Sequence, residues 1–182
     1  LLAARLNDAG GGAQLKYEVA FSLWCLSFEE DAPDDFVRSH AVEALCGAVA
    51  AAPREKVVRV AVTALLNAAR DDAAATRMVG AGLGTTLASM ASRPFADDDV
   101  KAAVGELATR VKSVSKELST LERYAAEVAS GKLRWGPVHS EAFWVEHAKA
   151  AEKDDFALVR RLVEVLSEAT GDVEALAVAS YD

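Results

Sequence analysis

The chain has 182 residues, of which 52% are hydrophobic, and its formal net charge at pH 7 is −8. This apolar fraction excludes a wholly disordered chain, and the acidic excess would repel an anionic backbone or surface, so we expect no nucleic acid partner. No apolar stretch approaches the ~20 residues that a membrane span requires, so we expect no direct insertion into a membrane.

Helix-favouring residues dominate the whole sequence, and no stretch alternates apolar and polar residues for long. The pattern predicts helices over residues 13–28, 34–51, 54–70, 73–90, 97–113, 115–130, 140–151, 154–169 and 172–182. Pro33, Pro53 and Pro94 stand just before helical stretches, where a missing N–H costs little. Asp97–Asp99 then open a helix at its positive end.

The helix breaks recur at a regular interval. Pro53, Pro94 and Pro137 are 41 and 43 residues apart, and Glu18–Ser22 aligns with Arg59–Thr63 at an offset of 41. A period of about 40 residues with two or more helices per unit is typical of HEAT and armadillo repeats. We therefore predict an all-α fold, a HEAT/armadillo-like α-solenoid of stacked helix pairs.

One segment also fits a coiled coil. Apolar residues from Val100 to Val128 follow a 4-3-4-3 spacing, which is the heptad pattern of a coiled-coil seam. Gly105 and the segment Ser113–Ser115 weaken a single long helix here. Two shorter helices of the repeat array, each with one apolar stripe, explain the spacing as well, and we favour that interpretation.

Motifs for catalysis and cofactor binding are not found. Gly80–Gly84 lacks the spacing and the preceding strand of a dinucleotide loop, so it predicts a link between helices. His139 and His147 are eight residues apart, whereas zinc ligands on one helix more often lie three or four apart. The acidic run Phe28–Asp35 lacks the spacing of a calcium loop and predicts a solvated loop. We predict no catalytic residue, no cofactor and no metal, and a binding protein rather than an enzyme.

The sequence has two cysteines, Cys25 and Cys46, and both stand in apolar helical sequence. We predict two buried free thiols, because a disulfide framework needs more cysteines than this. A reducing compartment such as the cytosol fits that prediction.

Large rings crowd into Ser130–Trp144, although aromatic residues are only 7% of the chain. Helical sequence flanks this segment, and a Gly-Pro break lies inside it. Two interpretations stay open: a joint whose rings pack on neighbouring helices or on a partner, and a ring-filled loop between two helices.

The same segment resembles a known family. Leu133–His139, followed by Glu141, Phe143 and Trp144, is similar to the L-x-W-[ST]-P-V-H…E-x-F-W stretch of the H subunit of vacuolar-type (V-type) proton ATPases. Four further segments resemble that family in the same order along the chain: Gln14–Trp24, Glu55–Val60, Asp97–Val100 and Leu176–Ala179. Tyr124, Glu127, Val128, Ser130 and Gly131 match the residues that precede this stretch in the family.

Three departures accompany the resemblance. Gly136 stands where the family usually has a hydroxyl residue, and the stretch between His139 and Trp144 is one residue shorter. The chain stops at Asp182, before most of the family's C-terminal domain, and we expect it to be truncated at both ends.

The resemblance implies an N-terminal helical-repeat domain over residues 1–134, and a joint with the start of a C-terminal domain over residues 135–182. It assigns the inter-domain joint to six residues: Trp135, Gly136, Pro137, His139, Phe143 and Trp144. We expect the rings of Trp135, Phe143 and Trp144 to fix this joint by packing.

The implied function is that of a non-catalytic regulatory subunit, which couples the ATP-hydrolysing V1 sector to the membrane Vo sector and restrains hydrolysis in free V1. The implied partners are the E and G subunits of the peripheral stalk, the soluble part of the a subunit, and the central stalk. The implied location is the cytosol, peripheral on the cytosolic face of endomembranes. An armadillo/HEAT-type adaptor unrelated to the pump and a coiled-coil protein remain the alternatives.

Overall fold

A computed structural model describes residues 1–6, 12–52, 54–130, 132–153 and 164. All regular structure in these residues is helical, which confirms the all-α prediction. The helices are α1 Leu2–Leu6, α2 Ala13–Leu26, α3 Ala32–Arg38, α4 Ala41–Ala51, α5 Glu55–Ala68, α6 Asp72–Gly80, α7 Leu83–Met90, α8 Asp98–Leu118, α9 Leu121–Ser130 and α10 Glu141–Lys153. A 3₁₀ turn spans Pro137–His139.

Some predicted features lie outside the described residues. These are the two last predicted helices, 154–169 (apart from residue 164) and 172–182, together with Pro53, Gly131 and the segment Leu176–Ala179. None of the described helices is both long enough and apolar enough to cross a bilayer.

Two predicted helices are each divided by a residue with positive φ. His40 has φ 57° and separates α3 from α4, where the sequence predicted one helix over 34–51. Gly82 has φ 71° and separates α6 from α7 within the predicted helix 73–90. A left-handed glycine is a common helix end, but a left-handed histidine gives no signal in the sequence.

The predicted break at residue 114 was wrong. Helix α8 continues through Ser113–Ser115 to Leu118, because Val111 and Val114 extend its buried stripe. The break falls at Ser119–Thr120, where the Thr120 Oγ1 accepts a hydrogen bond from the Arg123 backbone N–H at 3.2 Å and caps α9. Two separate helices therefore carry the heptad-like spacing.

Three smaller corrections concern local structure. The sequence did not predict the short helix α1, which buries Leu6. The acidic run is a loop only at its start, since α3 begins at Ala32. Cys46 is buried as predicted, but Cys25 is exposed, because it lies on the solvent side of α2.

The chain divides into two compact units, Leu1–Val114 and a second that begins at Ser115. The sequence-based boundary between residues 134 and 135 stays a prediction. Helices of the first unit pack in pairs: α2 and α4 both lie against α5, and α3 lies against α6. The core between them is made of small and branched side chains such as Ala61, Val62 and Leu65, all fully buried.

Polar contacts of the first unit repeat at the spacing that the sequence predicted. The Arg70 guanidinium donates to the Glu29 carbonyl, 41 residues earlier, and the Arg110 Nε donates to the Ala69 carbonyl at 3.0 Å, also 41 residues earlier. Each arginine thereby satisfies a backbone carbonyl just after the equivalent helix in the preceding repeat, three residues past the end of α2 and one residue past the end of α5. This recurrence confirms the solenoid.

The opposite ends of the same helices are also linked. The Lys56 Nζ donates to the Gln14 Oε1 at 3.3 Å, across an interval of 42 residues. The Glu55 carboxylate accepts from the backbone N–H groups of Ala96 and Asp97, both at 3.0 Å, just before α8. These contacts hold the starts of α2, α5 and α8 in register.

Candidate functional site

The segment predicted as a joint lies in the second unit, and its centre is the ring of Tyr124 on α9. Tyr124 is 1% exposed, and three rings surround it with centroid distances of 5.7 Å to His139, 5.7 Å to Phe143 and 5.0 Å to Trp144. Edge-on and tilted pairs of this kind add to the stabilisation from burial. The cluster therefore fixes the 3₁₀ turn and α10 against α9.

A carboxylate completes this cluster. One oxygen of Glu127, Oε1, accepts hydrogen bonds from the Arg134 backbone N–H at 2.7 Å and the His139 Nε2 at 3.1 Å. The His139 side chain is fully buried, whereas Glu127 keeps 24% of its side chain exposed. Glu127 therefore holds both ends of the segment from residue 134 to residue 139 on α9.

The environment of Glu127 shifts its pKa in a definite direction. Partial burial alone raises the pKa of this carboxyl, but the hydrogen bonds from His139 and Arg134 and the charges of both residues lower it more. The net result is a pKa below the ordinary value of a glutamate, so the group is ionised at neutral pH. A negative Glu127 is the form that can accept both bonds.

The start of α10 is set by Pro137 and Ser140. Pro137 opens the 3₁₀ turn, where its lack of an N–H costs nothing. The Ser140 hydroxyl donates to the Pro137 carbonyl at 2.8 Å and accepts from the Phe143 backbone N–H at 3.2 Å. Ser140 thereby caps α10 and orients Phe143 toward Tyr124.

The six predicted joint residues fall into two groups. His139, Phe143 and Trp144 are in the ring cluster, and Pro137 begins the turn that leads into it. Trp135 keeps half of its surface exposed (50%), although it was expected to pack like the others. The prediction that these residues join two domains stays a prediction.

Gly136 does not have the conformational role that a Gly-Pro break suggests. Its φ is −167°, an extended backbone that any residue adopts, and an added Cβ would meet its nearest atom, the Arg134 carbonyl oxygen, at 3.8 Å. The local backbone therefore does not require a glycine at position 136, where the family usually has a hydroxyl residue.

The sequence-based site omitted the two residues that organise it, Tyr124 and Glu127, although the resemblance had matched both to the residues that precede the joint. A usable signal was the spacing of Tyr124 and Val128, which lie one turn apart on the buried face of α9. A further contact that the sequence did not reveal joins the His147 Nε2 to the Ser119 carbonyl at 3.2 Å.

The geometry of the histidines supports structure rather than chemistry. Among the residues that the structure describes, no three His, Cys, Asp or Glu side chains are grouped to hold a metal ion.

Burial raises the pKa of the Cys46 thiol to about 12, which makes this cysteine a poor nucleophile. The link predicted at Gly80–Gly84 is shorter than this run, because only Ala81 and Gly82 lie between α6 and α7.

This chain is an α-helical repeat protein. Its helix pairs recur at a spacing of about 41 residues, and a ring-filled turn follows them in the sequence. Two family models, both described as the H subunit of the V-ATPase, match it, an N-terminal one over residues 1–111 and a C-terminal one over residues 117–182. The chain belongs to the V-ATPase H-subunit family.

Individual relatives agree with this assignment. The chain is 33% identical to a protein of Oryza sativa subsp. japonica named as a probable V-type proton ATPase H subunit, over 93% of its own length and 37% of the relative's. It is 30% identical to the V-type proton ATPase H subunit of Drosophila melanogaster, over 100% of its own length and 39% of the relative's. The chain thus spans about two fifths of the length of these relatives.

Proposed function

We propose that this chain is part of a non-catalytic regulatory subunit of a V-type proton-translocating ATPase. In this role it couples the ATP-hydrolysing V1 sector to the membrane Vo sector and restrains ATP hydrolysis in free V1. The observation that carries the proposal is the pair of H-subunit family matches, over residues 1–111 and 117–182, which follow one another in the order of the family's two domains.

The chemistry of the described residues supports a non-catalytic role. Two of the three histidines have structural partners: His139 is held by Glu127, and His147 contacts the Ser119 carbonyl. The Cys46 thiol is buried and held in its protonated form. A side chain that is already bonded and covered has little freedom to act on a substrate.

The packing of the first unit supports a role as a mechanical link. A subunit that restrains a rotary motor has to transmit force without bending between its repeats. Arg70, Arg110 and Glu55 each connect one repeat to the next by hydrogen bonds to the backbone. Such bonds resist sliding of one repeat over its neighbour, because the backbone partner of each bond is fixed close to a helix end.

The proposed partners are the E and G subunits of the peripheral stalk, the soluble part of the a subunit, and the central stalk. The proposed location is the cytosolic face of endomembranes, where the chain is peripheral. We further propose that residues 1–134 form the N-terminal repeat domain and that the joint at Trp135–Trp144 begins the C-terminal part.

The test adds the purified chain to a V1 sector prepared without its own H subunit. We expect the chain to co-elute with V1, to be retained by the E and G subunits, and to slow ATP hydrolysis. A Glu127→Ala variant, which frees the turn from α9, should restrain hydrolysis less than wild type. The matched control is Glu146→Ala, since Glu146 is exposed on α10.

The outcomes separate the parts of this function. If the chain co-elutes with V1 but does not slow ATP hydrolysis, the restraining role is contradicted, whereas the proposal that the pump is its partner is supported. No association with V1 would contradict the function as a whole and favour the armadillo/HEAT-type adaptor.

A further inference from the structure

Four aromatic side chains of α2 and its C-terminal end form a continuous stripe on one side of the helix. Neighbouring ring centroids are 6.1 Å apart for Tyr17 and Phe21, 5.4 Å for Phe21 and Trp24, and 5.5 Å for Trp24 and Phe28. We call these four residues the ring face. Their spacing of four, three and four residues places them together on one side of a helix.

The ring face is only partly covered by the rest of the chain. Phe21 is 41% exposed and Phe28 is 61% exposed, whereas Tyr17 and Trp24 are partly buried. The Lys56 ammonium from α5 lies 4.5 Å from the centroid of the Tyr17 ring and covers that end. Two exposed rings joined through a partly buried tryptophan, at and just beyond the end of a helix, form the kind of surface that anchors protein partners.

The chain segment that carries the ring face is acidic, although the Arg70 guanidinium donates to the Glu29 and Glu30 carbonyls and offsets part of this charge beside Phe28. Residues 12–40 contain six carboxylates and, among Lys and Arg, only Lys16 and Arg38. The carboxylates are Glu18, Glu29, Glu30, Asp31, Asp34 and Asp35, and all six are exposed. Arg38 is already paired with Asp35 at 2.6 Å. A partner that carries Lys or Arg beside its apolar residues would therefore be attracted to the end of the ring face at Phe28.

A helical partner suits this surface better than an extended one. Helix α2 presents side chains and no free backbone edge, so an extended peptide would gain no ladder of backbone bonds. An amphipathic helix satisfies its own backbone bonds and can place an apolar stripe on the rings.

We propose that the ring face is a docking surface for an amphipathic helix of a partner protein, one that has an apolar stripe and flanking basic residues. A second copy of this chain is disfavoured as the occupant, because its net charge of −8 would place like charges together. This proposal goes beyond the proposed function. It depends only on the ring face and its neighbouring carboxylates, and not on whether the partner belongs to a proton pump.

The test uses the full chain and a fluorescent model peptide of about 14 residues, which spans about 21 Å as a helix and matches the 14 residues of α2. The peptide carries Leu on one face and Lys on the other, and a second peptide carries Glu in place of each Lys. Fluorescence anisotropy at low and high salt measures the affinity of both. We expect the basic peptide to bind and the acidic peptide to bind at least about tenfold more weakly.

Variants of the ring face separate docking from general attraction of charge. Phe21→Ser with Phe28→Ser keeps every charge, and we expect it to weaken binding of the basic peptide about tenfold or more. The matched control is Leu26→Ser, because Leu26 is 47% exposed but lies two residues, or about 200°, around the helix from Trp24. That control should bind like wild type.

A second variant keeps the test independent of any change in folding at the rings. Glu29→Lys with Glu30→Lys alters only exposed loop residues, and we expect it to weaken binding about threefold or more and to reduce its salt dependence. Three results would overturn the proposal: equal binding of the basic and acidic peptides, unchanged binding by the double Ser variant, or sedimentation showing that wild type dimerises through the ring face.

Discussion

The two units of this chain obtain stability in different ways. In Leu1–Val114 the core is spread over many small side chains, and equivalent polar contacts recur at intervals of 41 and 42 residues. In the described part of the second unit, one tyrosine contacts three other rings, and one carboxylate holds the adjoining turn. The repeated structure thus distributes its stabilising contacts, whereas the irregular segment concentrates them in a few residues.

The largest expected effect comes from removing the ring at the centre of the cluster. Tyr124→Ala should lower the free energy of unfolding of the second unit by about 3–5 kcal/mol, because it leaves a cavity among His139, Phe143 and Trp144. Denaturant unfolding followed by tryptophan fluorescence measures it. Tyr17→Ala is the matched control and should cost about 1 kcal/mol, since Tyr17 is only partly buried. Equal costs would contradict the comparison.

Glu127→Gln should have the next largest effect, about 1–2 kcal/mol at pH 7. The variant keeps the shape of the side chain but loses the charge that strengthens the bonds from Arg134 and His139. Urea unfolding measures the change. If Glu127→Gln were as stable as wild type, the carboxylate would not be what holds the turn.

The same variant predicts a pH dependence. The folded pKa of Glu127 is lowered, so its contribution to stability is present above the unfolded pKa of about 4.3 and is lost as pH falls through the folded value. The difference in stability between wild type and Glu127→Gln should therefore shrink as the pH falls below about 4. A difference that grows in acid would mean that the pKa is shifted the other way.

Breaking one repeated contact in the first unit should cost less. Arg110→Met retains the aliphatic stem but removes the bonds to the Ala69 carbonyl and to Asp72, and we expect a loss of about 1 kcal/mol. Arg38→Met is the control, because the Arg38–Asp35 pair is exposed and should contribute nothing measurable. Thermal unfolding compares the two variants, and a larger loss for Arg38→Met would contradict distributed stabilisation.

The smallest effects are expected at two glycines. They test whether a glycine matters because its backbone conformation requires it or only because the sequence around it resembles a helix break. Gly136→Ser should change the unfolding free energy by less than about 0.5 kcal/mol, because the extended backbone and open space accept a side chain. Gly82→Ala should cost about 1 kcal/mol, because its φ of 71° is strained for any side chain. A larger loss of stability for Gly136→Ser than for Gly82→Ala would show that the glycine before Pro137 is required for a reason other than its backbone angles.

The same contrast explains what the sequence could predict. The repeat was visible because Val58 and Val100 occupy equivalent buried positions 42 residues apart, and a period needs only such a match. The second unit was harder, because nothing in it repeats. The sequence singled out Phe143 and Trp144 as rings, but the pairing of Tyr124 with them depends on how the chain folds back.

Boundaries that depend on one backbone angle were also beyond the sequence. The left-handed His40 ends α3, and although histidine adopts that conformation more often than most non-glycine residues, it does so too rarely to predict a helix end. The exposure of Trp135 and of Cys25 was likewise missed, because apolar sequence around a residue predicts burial only on average. These features depend on tertiary packing, which the local sequence pattern does not determine.

Hydrogen exchange resolved by residue tests the central contrast most directly, by comparing wild type with Leu65→Ala in the first unit and Tyr124→Ala in the second. Leu65 is fully buried on α5, which contacts α2 and α4, so its loss should speed exchange in those neighbouring helices and not in α9 or α10. Tyr124→Ala should speed exchange in α9, the 3₁₀ turn and the start of α10 together, and leave α2 and α4 unchanged. Faster exchange confined to α9, with the 3₁₀ turn and the start of α10 still protected, would contradict a single centre for the second unit.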